Sequence, residues 1–328
     1  MSKKHKVDLY EKKSQIFNGA SAFNQMRYHY GFHYPRSQRT FREINKSVRD
    51  FNDFFSLQLF GKTENFYLVA KNGKTSFEKY IYFLNKNKLK FIKTRKYRNI
   101  PQIEGSIRSN EKIINYFKTK KFLKKKLINS KVNLKLNTEF KKEYLNKYDK
   151  VIIATYSNNN LILKKLGIKK IEILKFELVE KIVIKLPISL KNKSFVVIDG
   201  DFVCVDPYLG TNYHLLSDVK LSKIEIKIGK YPNFTSYKKK FLNCGLIKNK
   251  KISRFENFIK RSSKYLPFLK KSKYIGSFYV IRAIRTNREK TDERISYIKL
   301  HNNKIISILS GKWNNCVTSA KEISSLLK

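Results

Sequence analysis

Residues 7–11 read VDLYE, and this stretch decides the fold that the sequence predicts. Its residues alternate between apolar and polar, as in a half-buried β-strand, and Glu11 stands at the carboxyl end. The small residues NGAS follow at 18–21. A strand that delivers an acid beside a small-residue loop is typical of the second strand of a dinucleotide-binding fold, where the carboxylate accepts hydrogen bonds from ribose hydroxyls. The alternative is an ordinary strand that ends in Glu and is followed by a surface turn.

The rest of the chain predicts α/β material at both ends and a largely antiparallel block between them. Helical patterns occupy residues 40–59, 76–84, 109–127, 235–243, 252–265 and the segment after 311. Strand patterns occupy residues 66–70, 132–136, 148–155, 171–186, 195–199, 202–205, 219–228, 274–285, 294–300 and 304–309. In the basic helix predicted over 109–127, we expect the apolar side to carry Ile113, Ile114, Phe117 and Phe122.

The formal net charge of +47 has two interpretations. A basic surface attracts polyanions such as nucleic acids. The excess is lysine, however, with 58 Lys against 14 Arg, and it is spread along the whole chain. Arginine is the side chain that suits planar phosphate contacts. We therefore attribute the charge to AT-rich codon usage and expect no specific nucleic-acid partner.

The three cysteines, Cys204, Cys244 and Cys316, are far apart and follow no metal-binding spacing. No apolar run approaches the roughly 20 residues of a membrane span, and the first residues lack the apolar core of a signal peptide. We expect a cytoplasmic protein with reduced cysteines, and the acidic and histidine positions predict no metal site.

Residues 24–37, NQMRYHYGFHYPRS, carry the most specific pattern in the chain. Together with residues 7–11 and 18–21, they resemble the FAD-dependent oxidoreductases of the D-amino-acid-oxidase-like family, in which similar words follow the ribose-binding acid. The resemblance implies FAD as cofactor and removal of a hydride from a C–N or C–OH centre of a small, anionic substrate.

Three later segments resemble motifs of the same family. YDKVIIATY at 148–156 is similar to the later nucleotide-side strand, with Tyr156 where the family has Gly. DGDF at 199–202 is similar to a turn of the substrate domain. SGK at 310–312 is similar to the C-terminal flavin-contacting motif.

The resemblance implies an FAD-binding Rossmann-like domain and a substrate domain built on a mixed or antiparallel sheet. The cofactor domain is expected to be discontinuous, over 1–75, 101–170 and 275–328, and the substrate domain to comprise 76–100 and 171–274. The family has a strand, a G-x-G-x-x-G loop and a helix before the acid-bearing strand. No two of the twelve glycines stand two residues apart here. The sequence therefore predicts an N-terminally truncated domain, with an internal start or a fragment as the explanation.

The resemblance also implies the residues that contact the cofactor. Glu11 would meet the adenosine ribose, the 18–21 loop would run beneath the flavin, and Val132 would meet the adenine, although a buried strand residue is the alternative for Val132. Gly311 and Lys312 would meet the flavin edge at a helix N-terminus. The full set is Glu11, Asn18, Gly19, Ala20, Ser21, Val132, Ala154, Thr155, Gly311 and Lys312.

Basic and aromatic residues of the 24–37 segment are the candidates for chemistry. His29, His33 and Tyr34 are the catalytic candidates, because histidine titrates near neutral pH. Arg27 and Arg36 would bind an anionic substrate group. An aromatic core segment with satisfied histidines is one alternative, and a patch that stacks nucleic-acid bases is another.

Arg282 and Arg285, on the strand predicted over 274–285, would clamp a substrate carboxylate or lie as surface charges at a sheet edge. For the chain as a whole, two other functions stay open at this point. One is a basic nucleic-acid-associated protein without redox activity, and the other is an inactive truncated family member.

Overall fold

The computed structural model describes residues 4–200, 203–286 and 293–327. The second half of the predicted 199–202 turn, Asp201 and Phe202, lies outside the described residues. The α-helices are α1 (Gln38–Phe54), α2 (Phe77–Lys86), α3 (Tyr116–Ile128), α4 (Asn159–Lys165), α5 (Phe255–Ser262) and α6 (Cys316–Ser325). The first strands are β1 (Val7–Tyr10), β2 (Arg27–Tyr28), β3 (Phe60–Gly61), β4 (Glu64–Ala70), β5 (Phe91–Thr94), β6 (Ile103–Ser109), β7 (Lys112–Ile114), β8 (Val132–Lys135) and β9 (Val151–Ile153). The later strands are β10 (Leu174–Lys185), β11 (Lys193–Ile198), β12 (Val203–Tyr208), β13 (Tyr213–Asp218), β14 (Lys223–Gly229), β15 (Lys273–Arg285), β16 (Tyr297–Leu300) and β17 (Ile305–Leu309).

A nine-stranded mixed sheet forms the centre of the molecule. β10 pairs with β15 along one edge and with β14 and β13 along the other, and the sheet continues through β12, β11, β4, β6 and β5. All pairs are antiparallel except β11 with β4. The predicted fold class, α/β with a mixed or antiparallel sheet, is confirmed.

The two faces of this sheet are covered differently. One face packs Ile182 and Phe195 against α5, around the buried Phe258. The other face packs Val179 and Val280 beneath the segment that joins β1 to β2. Because that segment holds the predicted cofactor loop, the second face is where a site can form.

The nucleotide-side strands form two small sheets. β1 pairs with β8 in parallel, and Val7 lies opposite Val132. β9 pairs in parallel with β17, which continues to β16. Among the described residues, β1 and β9 each have a hydrogen-bonded partner strand along one edge. The hydroxyls of Tyr10 and Tyr148 lie 2.7 Å apart, so side chains link the β1 region to the chain that leads into β9.

The predicted domain boundaries stay a prediction. β4, β6 and β15 come from segments that the sequence analysis assigned to the cofactor domain, and all three lie in the nine-stranded sheet. The two predicted domains therefore share one sheet in the described chain.

The helix predicted over 109–127 was wrong in its first third. β6 ends at Ser109, β7 follows, and α3 begins only at Tyr116. Asn115 fixes this start because its side chain accepts a hydrogen bond from the Lys118 N–H, as an N-cap does. Ile113 and Ile114 consequently lie on a strand and are buried.

The strand predicted over 219–228 was also wrong at its start. β13 ends at Asp218, whose carboxylate accepts hydrogen bonds from the N–H groups of Lys220 and Leu221. This side-chain-capped turn separates β13 from β14.

Tyr156 occupies a backbone conformation that favours glycine. Its φ is 54°, in the left-handed region. The side chain compensates because it packs on the cluster that contains Phe176, and its hydroxyl accepts a hydrogen bond from the Ala283 N–H at 3.1 Å. The departure from the family's Gly therefore changes the side chain and keeps the turn.

We expect Tyr156→Gly to be more stable than Tyr156→Ala by about 1 kcal/mol, because both lose the ring but only Ala keeps the strain of a left-handed Cβ. The measurement is urea denaturation of both variants. Tyr82, exposed within α2, is the matched control. There the order reverses, since Gly destabilises a helix by about 1 kcal/mol relative to Ala. Equal stability of the two Tyr156 variants would contradict the prediction.

Candidate active site

A buried ion network lies where β2 meets the nine-stranded sheet. Arg27 is 3% exposed, and its guanidinium donates to Glu111 Oε2 at 3.1 Å and to Asp206 and Ser194. The central carbon of the Arg27 guanidinium, Cζ, lies 5.4 Å from the centroid of the Tyr67 ring. The network fixes the 24–37 segment onto the sheet, so Arg27 is engaged by two carboxylates of this chain.

Glu111 has further partners on the same segment. Its carboxylate accepts from the Tyr67 hydroxyl at 2.5 Å and from the Tyr30 N–H at 2.8 Å. Burial alone would raise the pKa of Glu111, but interactions with His29, then Arg27 and Tyr67, lower it to about 2. Burial lowers the pKa of His29, which leaves the imidazole neutral near pH 7, so the guanidinium of Arg27 is the charge that holds this carboxylate.

The predicted catalytic residues lie together, next to the C-terminal motif. The ring centroids of His29 and Tyr34 are 5.6 Å apart, and those of His29 and His33 are 5.7 Å apart. Lys312 places its Nζ 3.8 Å from the centroid of the Tyr34 ring. Asn314 ties the two parts of the chain together, because its Nδ2 donates to the His29 carbonyl at 2.7 Å.

The predicted cofactor loop lies on the sheet face and touches the last segment of the chain. The residues after Gly19 form a 3-10 helix, Ala20–Phe23, and the Phe23 ring lies 5.0 Å from that of Phe278 on β15. Just before the loop, the ring of Phe17 lies 4.9 Å from that of Trp313. Both ends of the chain therefore line one site.

Several buried polar atoms on these parts of the chain have no hydrogen-bond partner among the described residues. They include Gln25 Oε1, His29 Nδ1 and Trp313 Nε1. The Nε2 atom of Gln25 is satisfied, since it donates to Ser217 Oγ at 3.0 Å. Buried polar groups are nearly always paired with protein, water or a ligand, so these atoms are available to a bound molecule. A Cβ built at Gly19 meets nothing within 4 Å, which leaves open space beside the loop.

Gly311 has no room for a side chain. A Cβ there would lie 2.4 Å from the carbonyl oxygen of Arg294. The Ser310 hydroxyl donates to the Lys312 carbonyl at 3.1 Å. This close packing places the backbone of the 310–312 motif beside Tyr34 and the histidines.

The predicted adenosine contacts lie on the two small sheets, at β1 and β8 and after β9. Glu11 directly follows β1, and its Oε1 accepts from the Lys13 N–H at 2.8 Å. Val132 begins β8 opposite Val7, at the amino end of β1, so Val132 and Glu11 lie at opposite ends of this parallel pair. Ala154 and Thr155 follow β9, and the Thr155 N–H donates to Asn159 Oδ1 at 2.9 Å.

The predicted substrate-binding arginines all have partners in this chain. Arg36 holds Asp199 with two hydrogen bonds, of 2.5 and 3.2 Å. Arg282 donates from its Nε to Glu177 at 2.6 Å. The guanidinium of Arg285 lies 4.4 Å from the centroid of the Tyr297 ring. Their roles in substrate binding stay a prediction.

One residue of this face escaped the sequence analysis. Lys181, on β10, is half-buried and points from the same face as Glu177. Among the described residues it has no hydrogen bond and no ion pair, and one lysine among 58 carries no signal in the sequence.

Within residues 4–200, 203–286 and 293–327, no group of three or more His, Cys, Asp or Glu side chains could hold a metal ion. No helix in that same part of the chain is both long and apolar enough to cross a membrane.

Solved structures with the same arrangement of elements are amino acid oxidases and dehydrogenases. Glycine oxidase from Geobacillus kaustophilus matches with a TM-score of 0.63 at 12% identity, over 97% of this chain and 86% of its own. NikD, an amino acid oxidase of nikkomycin biosynthesis, matches with a TM-score of 0.69 at 11% identity, over 99% and 88%. The fold is that of the amino acid oxidases.

L-proline dehydrogenase from P. horikoshii shares this fold with a TM-score of 0.65 at 16% identity, over 98% of this chain and 86% of its own. No family model matches the sequence, and no curated protein matches it. At these identities the likeness confirms the fold alone.

Proposed function

We propose that this chain is an FAD-dependent oxidoreductase that oxidises a C–N centre of a small amino acid. The observation that carries the proposal is that the segment around residues 18–23 and the C-terminal 310–315 segment pack on one face of the central sheet, in a fold shared with amino acid oxidases. Gln25 Oε1 and Trp313 Nε1, on these parts of the chain, are buried without a hydrogen-bond partner among the described residues. A flavin ring has both donors and acceptors along its polar edge and would offer partners to such atoms.

The residues present fit the two ends of FAD. Glu11 would hold the adenosine end, and Ala154 and Thr155 would lie near the middle of the cofactor. Gly19, with open space beside it, and Gly311 would lie along the ring. When bound, the flavin supplies a hydride acceptor.

The fit is incomplete at the pyrophosphate. A dinucleotide site usually cradles this group with the N–H groups of a glycine-rich loop. No two glycines of this sequence stand two residues apart, so no such loop can be assigned. Weak binding of FAD by the chain as given is therefore part of the proposal.

The chain's own residues would prepare the substrate. Burial lowers the pKa of His29, with Glu111 opposing this change, so the imidazole can accept a proton from an ammonium group near pH 7. Tyr34, beside it and beneath Lys312, would form a wall of the same pocket. The loop over Phe278 would keep water from the reacting carbon.

Trp313 is the single tryptophan of the sequence, so intrinsic fluorescence reports directly on the proposed ring site. We expect FAD to quench this fluorescence to saturation, and adenosine diphosphate, which has no flavin ring, to leave it unchanged. Free N-acetyltryptophanamide titrated with the same concentrations of FAD is the control for inner-filter effects. Amino acids such as glycine and proline are then added, and bleaching of the flavin absorbance under anaerobic conditions reports their oxidation.

Absence of saturable quenching and of any bound flavin would overturn the proposal. Flavin binding without bleaching by any amino acid would indicate an inactive member of the fold.

A further inference from the structure

Lys181 stands at the centre of the site face. On the strand next to β10, the residue directly opposite it is Phe278, whose ring packs on Phe23 of the predicted cofactor loop. Directly opposite residues of an antiparallel pair share a face. Lys181 therefore lies beside that loop, on the side where Gln25 contacts the sheet.

The ammonium of Lys181 forms no ion pair and no hydrogen bond with the described residues. Its nearest carboxylates are committed elsewhere: Glu177 binds Arg282, and Asp206 binds Arg27. Burial, and then repulsion from the Arg282 guanidinium, lower the pKa of Lys181 to about 8. A half-buried cation without an ion pair is partly desolvated without compensation, and an anion that enters the site would supply that compensation.

Three of the four arginines that the sequence suggested for this task are already paired with carboxylates, and the fourth, Arg285, stacks on the Tyr297 ring. Arg27, Arg36 and Arg282 each hold a carboxylate of the chain, and a substrate anion would have to displace it. Lys181 needs no displacement. We infer that Lys181 binds the carboxylate of the substrate and so restricts the enzyme to amines that carry one. This inference rests on the proposed function for the identity of the site.

The test compares Lys181→Met with wild type and with Lys185→Met. Lys185 lies on the same strand and is exposed, so its variant is a matched control. Isothermal titration with acetate, glycine and succinate at pH 7 and constant ionic strength measures affinity. We expect Lys181→Met to bind about tenfold more weakly or worse, as for loss of a charged hydrogen bond, and Lys185→Met to bind like wild type.

The pH dependence identifies the group. Wild-type affinity should fall from pH 7 to pH 10 as the ammonium loses its proton, whereas Lys181→Arg should keep its affinity because guanidinium stays charged. The other charged or titratable groups around Lys181 are Glu177, Arg282, Asp206 and Cys204. Of these, only a thiol ordinarily titrates in this range, and burial, then the nearby Asp206, raise the pKa of Cys204.

Stability separates this role from a structural one. Because Lys181→Met removes an unpaired buried charge, its melting temperature should equal or exceed that of wild type. A lower melting temperature, carboxylate binding equal to wild type, or a wild-type protein that binds none of the three probes would overturn the inference. Trp313 quenching by FAD is measured on the same samples. Carboxylate binding through Lys181 without flavin binding would contradict the proposed function and would leave the anion-binding role of Lys181 in place.

Discussion

Replacing Arg27 with methionine is expected to lower the free energy of unfolding by about 3–5 kcal/mol, the cost of breaking a buried ion pair by removing one partner. Methionine fills similar volume but leaves Glu111 and Asp206 buried without a cation. Both carboxylates are almost fully buried, at 2% and 0% exposure, so water cannot replace the guanidinium. The measurement is urea denaturation at pH 7, with unfolding monitored by circular dichroism.

The control is Arg108→Met. Arg108 pairs with Glu64 at 3.6 Å, and both side chains are 47% exposed. Exposed pairs contribute about 0–1 kcal/mol, so this variant should change little. If Arg27→Met does not fold well enough to measure, Arg27→Lys keeps the charge and loses the planar fork, and should show a smaller loss. A loss under about 1 kcal/mol for Arg27→Met would contradict the prediction. It would mean that Arg27 is available to bind a substrate anion.

The segment that decides the fold was readable because its information is local. Alternation ending at Glu11, small residues at 18–21 and the aromatic-basic run at 24–37 all lie within a short stretch. The structure places that run against the last segment of the chain, and the family resemblance had assigned both segments to the flavin. Tyr156 illustrates the same point, because the position where the family has Gly does adopt a left-handed φ.

The ion network was not readable because it depends on long-range contacts. Glu111 lies 84 residues from Arg27, and Asp206 lies 179 residues from it. Nothing in the local sequence of either carboxylate marks it as buried. The helix predicted over 109–127 also misplaced Glu111, which lies in the turn between β6 and β7.

Lys181 was invisible for a related reason. In a chain with 58 lysines, residue type carries almost no information, and only burial and the absence of a partner single this one out. The arginines attracted attention in the sequence because they are rare here. The structure shows that Arg27, Arg36 and Arg282 neutralise carboxylates of the chain itself. The sequence analysis therefore chose arginines because they are rare, and three of them form ion pairs within the fold.

A version of the chain extended at Met1 by a strand, a G-x-G-x-x-G loop and a helix is expected to bind FAD about 100-fold more tightly. The loop would donate at least two hydrogen bonds to the charged pyrophosphate, worth about 3 kcal/mol together. The structure offers a place for the strand. β1 and β9 each use one edge for pairing within the described chain, and the side chains of Tyr10 and Tyr148 join the two regions.

Two measurements separate the contributions of the strand and the loop. Trp313 quenching gives the affinity for FAD, and amide hydrogen exchange reports the pairing of β1 and β9. The matched control carries the same extension with the three glycines replaced by valine. It should slow exchange in both strands as the full extension does, because the strand still pairs, but its affinity for FAD should stay near that of the original chain. Unchanged exchange in β1 and β9 would show that no parallel strand enters between them. Slowed exchange without tighter FAD binding would mean that the pyrophosphate is held elsewhere or that the ring site does not accept flavin, and the saturation of Trp313 quenching distinguishes these two results.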